Sequence, residues 1–119
     1  MKSIIQIILF ALLVSITNNL FAQELKIKEI TIKVEGNCDD CKNRIESAMD
    51  NNGIKFSQWD KETKMLKVVY KTTKISEQEI FELLAKAGHD TEKLKANNDV
   101  YDKLPDCCKY RTGACNNHK

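Results

Sequence analysis

The sequence predicts an α+β sandwich of order βαββαβ, with a four-stranded antiparallel sheet and two helices on one face. Three observations predict it. Period-two alternation in "KEITIKVE" marks a strand. An i, i+4, i+7, i+8 apolar spacing from Cys41 marks a helix directly after it. A capping box at Ser76 and Glu79 marks a second helix, beyond two further strand patterns. Each element has one apolar face to bury, and two split β-α-β halves can cover each other.

In the first strand Ile30, Ile32 and Val34 point one way, and Thr31, Lys33 and Glu35 the other. Gly36 and Asn37 break it. Cys41, Ile45, Ala48 and Met49 then line one helical face, and "DNNG" stops the helix, with Gly53 suited to a left-handed C-terminal position. "IKFSQWD" and "KMLKVVYK" read as two strands around the turn "DKETK". Leu66, Val68 and Tyr70 share a face there, and Trp59 is expected in the core. The second helix opens on its capping box with Ile75 and Ile80 as a hydrophobic staple. Ile80, Leu83, Leu84 and Ala87 form its buried face, and Gly88 ends it. "HDTEKLKA" is expected as a short fourth strand.

The flanks differ in character. "MKSIIQIILFALLVSITNNLFA" has an early cation, an apolar run too short to span a bilayer and a small residue at its end, the layout of a secretory signal peptide over residues 1–22. The chain is thus expected to be secreted, in a bacterial periplasm or beyond. Residues 26–96 carry the sandwich and 97–119 a polar C-terminal tail. Loss of the leader removes one cation and no acid, taking the formal charge from +2 to +1, which is no footprint for nucleic acid. What remains suffices for one small domain. No Ser/His/Asp set, carboxylate pair or phosphate-cradling loop is evident, so the chain does not read as an enzyme.

The chemistry lies in the five cysteines, Cys38, Cys41, Cys107, Cys108 and Cys115. In an oxidising compartment a disulfide framework is the default, but their placement is uneven: two at a helix start and three in the tail. Cys38 and Cys41 meet the free N–H groups and positive end of a helix, which favour thiolate over thiol. Two thiolates at this spacing can hold a soft ion such as Cu(I) or Zn(II). Asp39 and Asp40 suit the helix N-terminus; they also oppose thiolate formation beside them and favour a divalent ion.

"GNCDDC" before a helix, "MLKVVYK" after a turn and "AGHDTEKLKA" after the second helix resemble the heavy-metal-associated domain family, over roughly Lys28 to Ala96. That family includes copper chaperones, metal-binding domains of transporting ATPases and the periplasmic mercury-binding protein. The resemblance implies a ferredoxin-like fold and metal ligation by Cys38 and Cys41. It also implies copper(I) as first cargo, ahead of zinc, cadmium or mercury. Its implied partner is a metal-transporting membrane protein or another CxxC domain. The family's usual Gly-Met-x-Cys-x-x-Cys is one residue shorter here and lacks the methionine that plugs the core under the loop. The tail "YDKLPDCCKYR" is similar to one on secreted bacterial members.

The first strand and the second helix both run toward the cysteine loop, so His89 is a candidate neighbour or third ligand there. The last strand leads away, and "NNDVYDKLPD" is polar enough to stay mobile. Cys107, Cys108 and Cys115 are therefore expected to be secondary ligands, an independent site with His118, or disulfide partners. Two other readings stand beside metal binding. One is a thiol-disulfide redox protein, disfavoured because the lone proline, Pro105, is in the tail. The other is a disulfide-stapled interaction domain without metal.

Overall fold

The computed structural model describes residues 1–11 and 26–113. The end of the expected leader, Cys115 and His118 lie outside the described residues. Residues 2–11 form a helix, α1, exposed throughout. Among the described residues no helix is long and apolar enough to cross a membrane.

Three strands form the sheet: β1 (Ile27–Lys33), β2 (Ile54–Trp59) and β3 (Met65–Lys71). Their order is β1-β3-β2, all antiparallel. Ile32 pairs with Leu66, and Trp59 pairs with Leu66 from the other side. The expected alternation holds: Ile32, Val34, Leu66, Val68 and Tyr70 are buried, while Thr31, Lys33 and Lys67 face outward. A register shift between Ile54 and Phe56 reverses the parity of β2. Trp59 consequently points inward with Ile54 half-buried, and Phe56 is left exposed.

Helices α2 (Asp39–Ala48) and α3 (Glu77–Lys86) cover the inner face. Ile45 and Met49 come from the first and Ile80 and Leu84 from the second, all in one core with the sheet residues. The capping box of α3 is present, with Glu79 N–H donating to Ser76 Oγ at 3.1 Å and Ser76 N–H to Glu79 Oε2 at 2.7 Å. Phe81, unassigned in the sequence, is also buried, whereas Leu83 and Ala87 are only half-buried. Gly88 ends α3 with φ +96. Gly53 does not adopt the left-handed conformation expected of it. Its glycine serves a close approach instead, since a Cβ there would lie 2.7 Å from Ile75 Cγ2.

Two further expectations need correction. The segment after α3 makes a single isolated bridge, Thr91 with Val34 just beyond β1, so among the described residues the sheet has three strands. The physical reason is local. Thr91 N–H turns to the Leu94 carbonyl (2.9 Å), and Leu94 N–H donates to Thr91 Oγ1 (3.1 Å), so the chain curls away.

The tail, expected to be mobile, is folded. Helix α4 (Asn98–Tyr101) and a 3-10 turn (Asp106–Cys108) lead it back over the sandwich. Tyr101, Leu104 and Cys108 are buried at 6%, 5% and 0% exposure. Full burial of such a side chain contributes about 1.5–3 kcal/mol, which offsets the entropy of ordering the arm. Gly88 admits Leu104 directly, for a Cβ there would meet its Cδ2 at 3.0 Å.

Candidate metal centre

Cys38 is the N-cap of α2 and Cys41 lies in its first turn. Val34, just beyond β1, leads the chain into Gly36 and Asn37, and Trp59 forms the floor beneath them. Its indole N–H donates to the Val34 carbonyl at 3.1 Å. A Cβ on Gly36 would sit 3.1 Å from the indole ring and 3.0 Å from Cys41 Cβ, so this close packing needs glycine. Lys64 donates its ammonium to the Gly36 carbonyl and lies over the indole face, 5.5 Å from its centroid. Trp59 thereby fills the space beneath a loop that has no methionine.

Four sulfurs converge on this loop. Cys38 Sγ lies 3.4 Å from Cys41 Sγ and 3.5 Å from Cys108 Sγ, and Cys107 Sγ is 3.9 Å from Cys108 Sγ. Cys38, Cys41 and Cys108 offer three sulfurs within 4.8 Å of one another, and so do Cys38, Asp40 and Cys107 with two sulfurs and a carboxylate oxygen. Cys107 Sγ is 3.3 Å from Asp40 Oδ2. Asp39 instead pairs with Lys61 at 3.2 Å across exposed surface. Cys41 and Cys108 are fully buried; Cys38 and Cys107 are partly open.

The thiols differ in acidity. Burial pushes Cys38 up, but the backbone N–H of Cys41 and the Cys107, Cys41 and Cys108 thiols together hold it below the ordinary thiol value. Burial raises Cys41, outweighing the Asn37 N–H that points at its sulfur from 3.4 Å. The hydrogen bond to Cys38, then burial, then Asp40 push Cys107 up to about 12. Burial and its contacts with Cys41 and Cys38 raise Cys108 as well. Of the four thiols, Cys38 is thus the one whose surroundings favour ionisation relative to an ordinary cysteine, while those of the other three oppose it. A soft cation is the species that stabilises several thiolates together.

His89 is fully buried beside the loop but belongs to neither ligand group. Its Nδ1 lies 2.8 Å from the Glu35 carbonyl, so it braces the chain leading into Gly36. Burial lowers its pKa, favouring the neutral ring.

The tail is held at the site by residues the sequence did not single out. Arg111 clamps Asp90 with two hydrogen bonds, at 2.9 and 2.7 Å, donates to the Ala96 carbonyl at 2.7 Å, and stacks over Tyr101. Tyr110 donates its hydroxyl to the Gly88 carbonyl (2.7 Å) and accepts from Asp90 N–H (2.8 Å). Burial raises the Asp90 carboxyl, yet Arg111 and the Ala96 N–H bring it below the usual carboxylate value. Arg111→Ala strands a largely buried carboxylate, and we expect a loss of roughly 1–3 kcal/mol with faster thiol labelling of Cys107 and Cys108. Lysine at 111 lacks the planar fork and is expected not to restore slow labelling. Unchanged labelling kinetics in Arg111→Ala would mean that the clamp does not hold the tail.

No family model and no curated protein matches the chain. Solved structures do. The CopZ metallochaperone is 26% identical with a TM-score of 0.52, over 54% of this chain and 98% of that one. A copper binding domain from HMA7, a P-type ATPase, is 29% identical with a TM-score of 0.52, over 54% of this chain and 89% of that one. Oxidised MerP from Ralstonia metallidurans CH34 has a TM-score of 0.53 at 24% identity, over 56% of this chain and 94% of that one, a likeness of fold.

Proposed function

From a chain that carries a heavy-metal-associated domain, we propose a non-enzymatic carrier or scavenger of soft metal ions, with Cu(I) as cargo, acting outside the cytoplasm. The observation that carries this reading is the convergence of the Cys38, Cys41 and Cys108 sulfurs within 4.8 Å of one another at a helix N-terminus. With metal–sulfur bonds of about 2.3 Å, a linear two-sulfur ion needs its sulfurs about 4.6 Å apart. Cys38 and Cys41 stand at 3.4 Å. That closeness suits an ion with three or more ligands, and Cys108 supplies the third.

Copper is supported by the copper binding domain of the P-type ATPase HMA7 among the similar structures. The extracytoplasmic setting rests on the leader-like residues 1–22. Delivery would proceed by ligand exchange, with an incoming CxxC domain of a metal transporter displacing these sulfurs one at a time.

The deciding experiment is anaerobic titration of the reduced chain with Cu(I) and Zn(II) in competition. We expect Cu(I) to bind and to displace Zn(II). Retention of Zn(II) against equimolar Cu(I) would overturn the copper assignment, and no uptake of either ion would overturn the reading as a whole.

A further inference from the structure

The two ligand groups of the cluster share one residue, Cys38. Cys41 and Cys108 lie on its buried side, with sulfurs from Cys38 at 3.4 Å and, for Cys108, 3.5 Å. Cys107 and Asp40 lie on its open side, 3.3 Å from each other. We propose that the cluster takes two soft ions rather than one, with the Cys38 thiolate bridging them; this rests on the soft-metal reading above.

A thiolate sulfur has lone pairs enough to bind two soft cations at once, and a shared sulfur is the economical arrangement when ligands are few. The inner ion takes Cys38, Cys41 and Cys108. The outer ion takes Cys38 and Cys107, with the Asp40 carboxylate as its third donor. The Cys38–Cys41 and Cys38–Cys108 sulfur spacings of 3.4 and 3.5 Å correspond to S–metal–S angles of roughly 95–100° at metal–sulfur bonds of about 2.3 Å. Those angles suit an inner ion of three or four ligands with Cys38 as the corner shared with its neighbour, not an isolated linear pair.

The two ions differ in access. Cys41 and Cys108 are sealed, whereas Cys107 stands at the rim. The outer ion is therefore the one that exchanges, and the inner ion keeps the tail docked while it does.

The test uses the full chain bearing Cys115→Ser, which removes the thiol outside the described residues. It is titrated anaerobically with Cu(I) against a competing chelator, weighed by native mass spectrometry and examined by X-ray absorption. Two ions on a species of monomer mass, with a short metal–metal scattering path, is the expected result. Cys107→Ser is expected to bind one ion and to lose that path; Cys107 is partly exposed, so serine leaves the core intact. A parent chain that stops at one ion, or that binds two without a metal–metal path, overturns the bridge. So does a Cys107→Ser chain that still holds two. These outcomes are separable from failure of the functional reading. A single ion lost on replacing Cys38 and Cys41 leaves that reading standing, whereas no uptake by the parent chain removes both.

Discussion

Serine at both Cys38 and Cys41 is expected to weaken the first equivalent of soft metal by at least ~100-fold, since even outer-shell partners of a metal site are worth about 10–100-fold. The fold should survive. Cys38 is a partly open N-cap residue that makes no side-chain cap bond. Serine is a preferred residue at that position. Cys41 is fully buried and the replacement there is near in volume, although it adds a hydroxyl facing the core. Cys108→Ser removes one of the three inner sulfurs and should weaken the same equivalent without abolishing it. Affinity is read by competition with a chelator, and the fold by circular dichroism. A double variant with parental affinity would show that the primary site lies elsewhere. Parental affinity in Cys108→Ser would show that the tail merely covers a two-sulfur site.

Trp59→Ala carries the largest expected loss of stability. The side chain is 1% exposed, and its N–H satisfies the otherwise buried Val34 carbonyl at 3.1 Å. Its backbone N–H is held by Glu46 Oε1 at 3.0 Å, which ties the end of β2 to α2. Replacement by alanine leaves a cavity under the cysteine loop and should cost about 3–5 kcal/mol. For a domain of this size each kcal/mol corresponds to about 4–8 °C, so Tm should fall by roughly 12 °C or more. Trp59→Phe keeps most of the volume and loses the hydrogen bond, so it should fall between the two. Tm values for the three proteins, measured without metal, check this. A drop of only a few degrees in Trp59→Ala would mean that the loop collapses into the space and needs no such floor.

The parts that were legible in the sequence are those written as repetition. Alternation in β1 and β3 and the Ser76–Glu79 box are local patterns, and the structure follows them. The bulge in β2 was not legible, because a one-residue shift leaves no compositional mark. The missing fourth strand has a similar origin. "HDTEKLKA" fits an extended segment, but the Thr91–Leu94 turn is decided by one hydroxyl bonding back to the chain.

The tail misled for a different reason. Tyr101 and Leu104 stand out as possible anchors in its polar stretch, and with Cys108 they are buried at a spacing of i, i+3 and i+7, but three such residues do not say where the tail docks. What anchors it is a pair of residues 21 apart in sequence, Asp90 and Arg111, and no periodicity reports such a pair. Topology points His89 toward the loop, and its ring lies against the Glu35 carbonyl and in neither group of candidate ligands.

The docking of the tail has a consequence for biosynthesis. Cys38 and Cys108 are 70 residues apart in the chain yet 3.5 Å apart in space. Contacts of such long range form late in folding, after the local elements they join. During synthesis Cys38 and Cys41 emerge first, and Cys108, with the Arg111 that holds the tail, follows about 70 residues later. A nascent chain that has not reached them presents a bare two-cysteine loop. The three-sulfur cluster therefore assembles only after the tail has been made and has docked, so it reports on tertiary folding rather than on the loop alone.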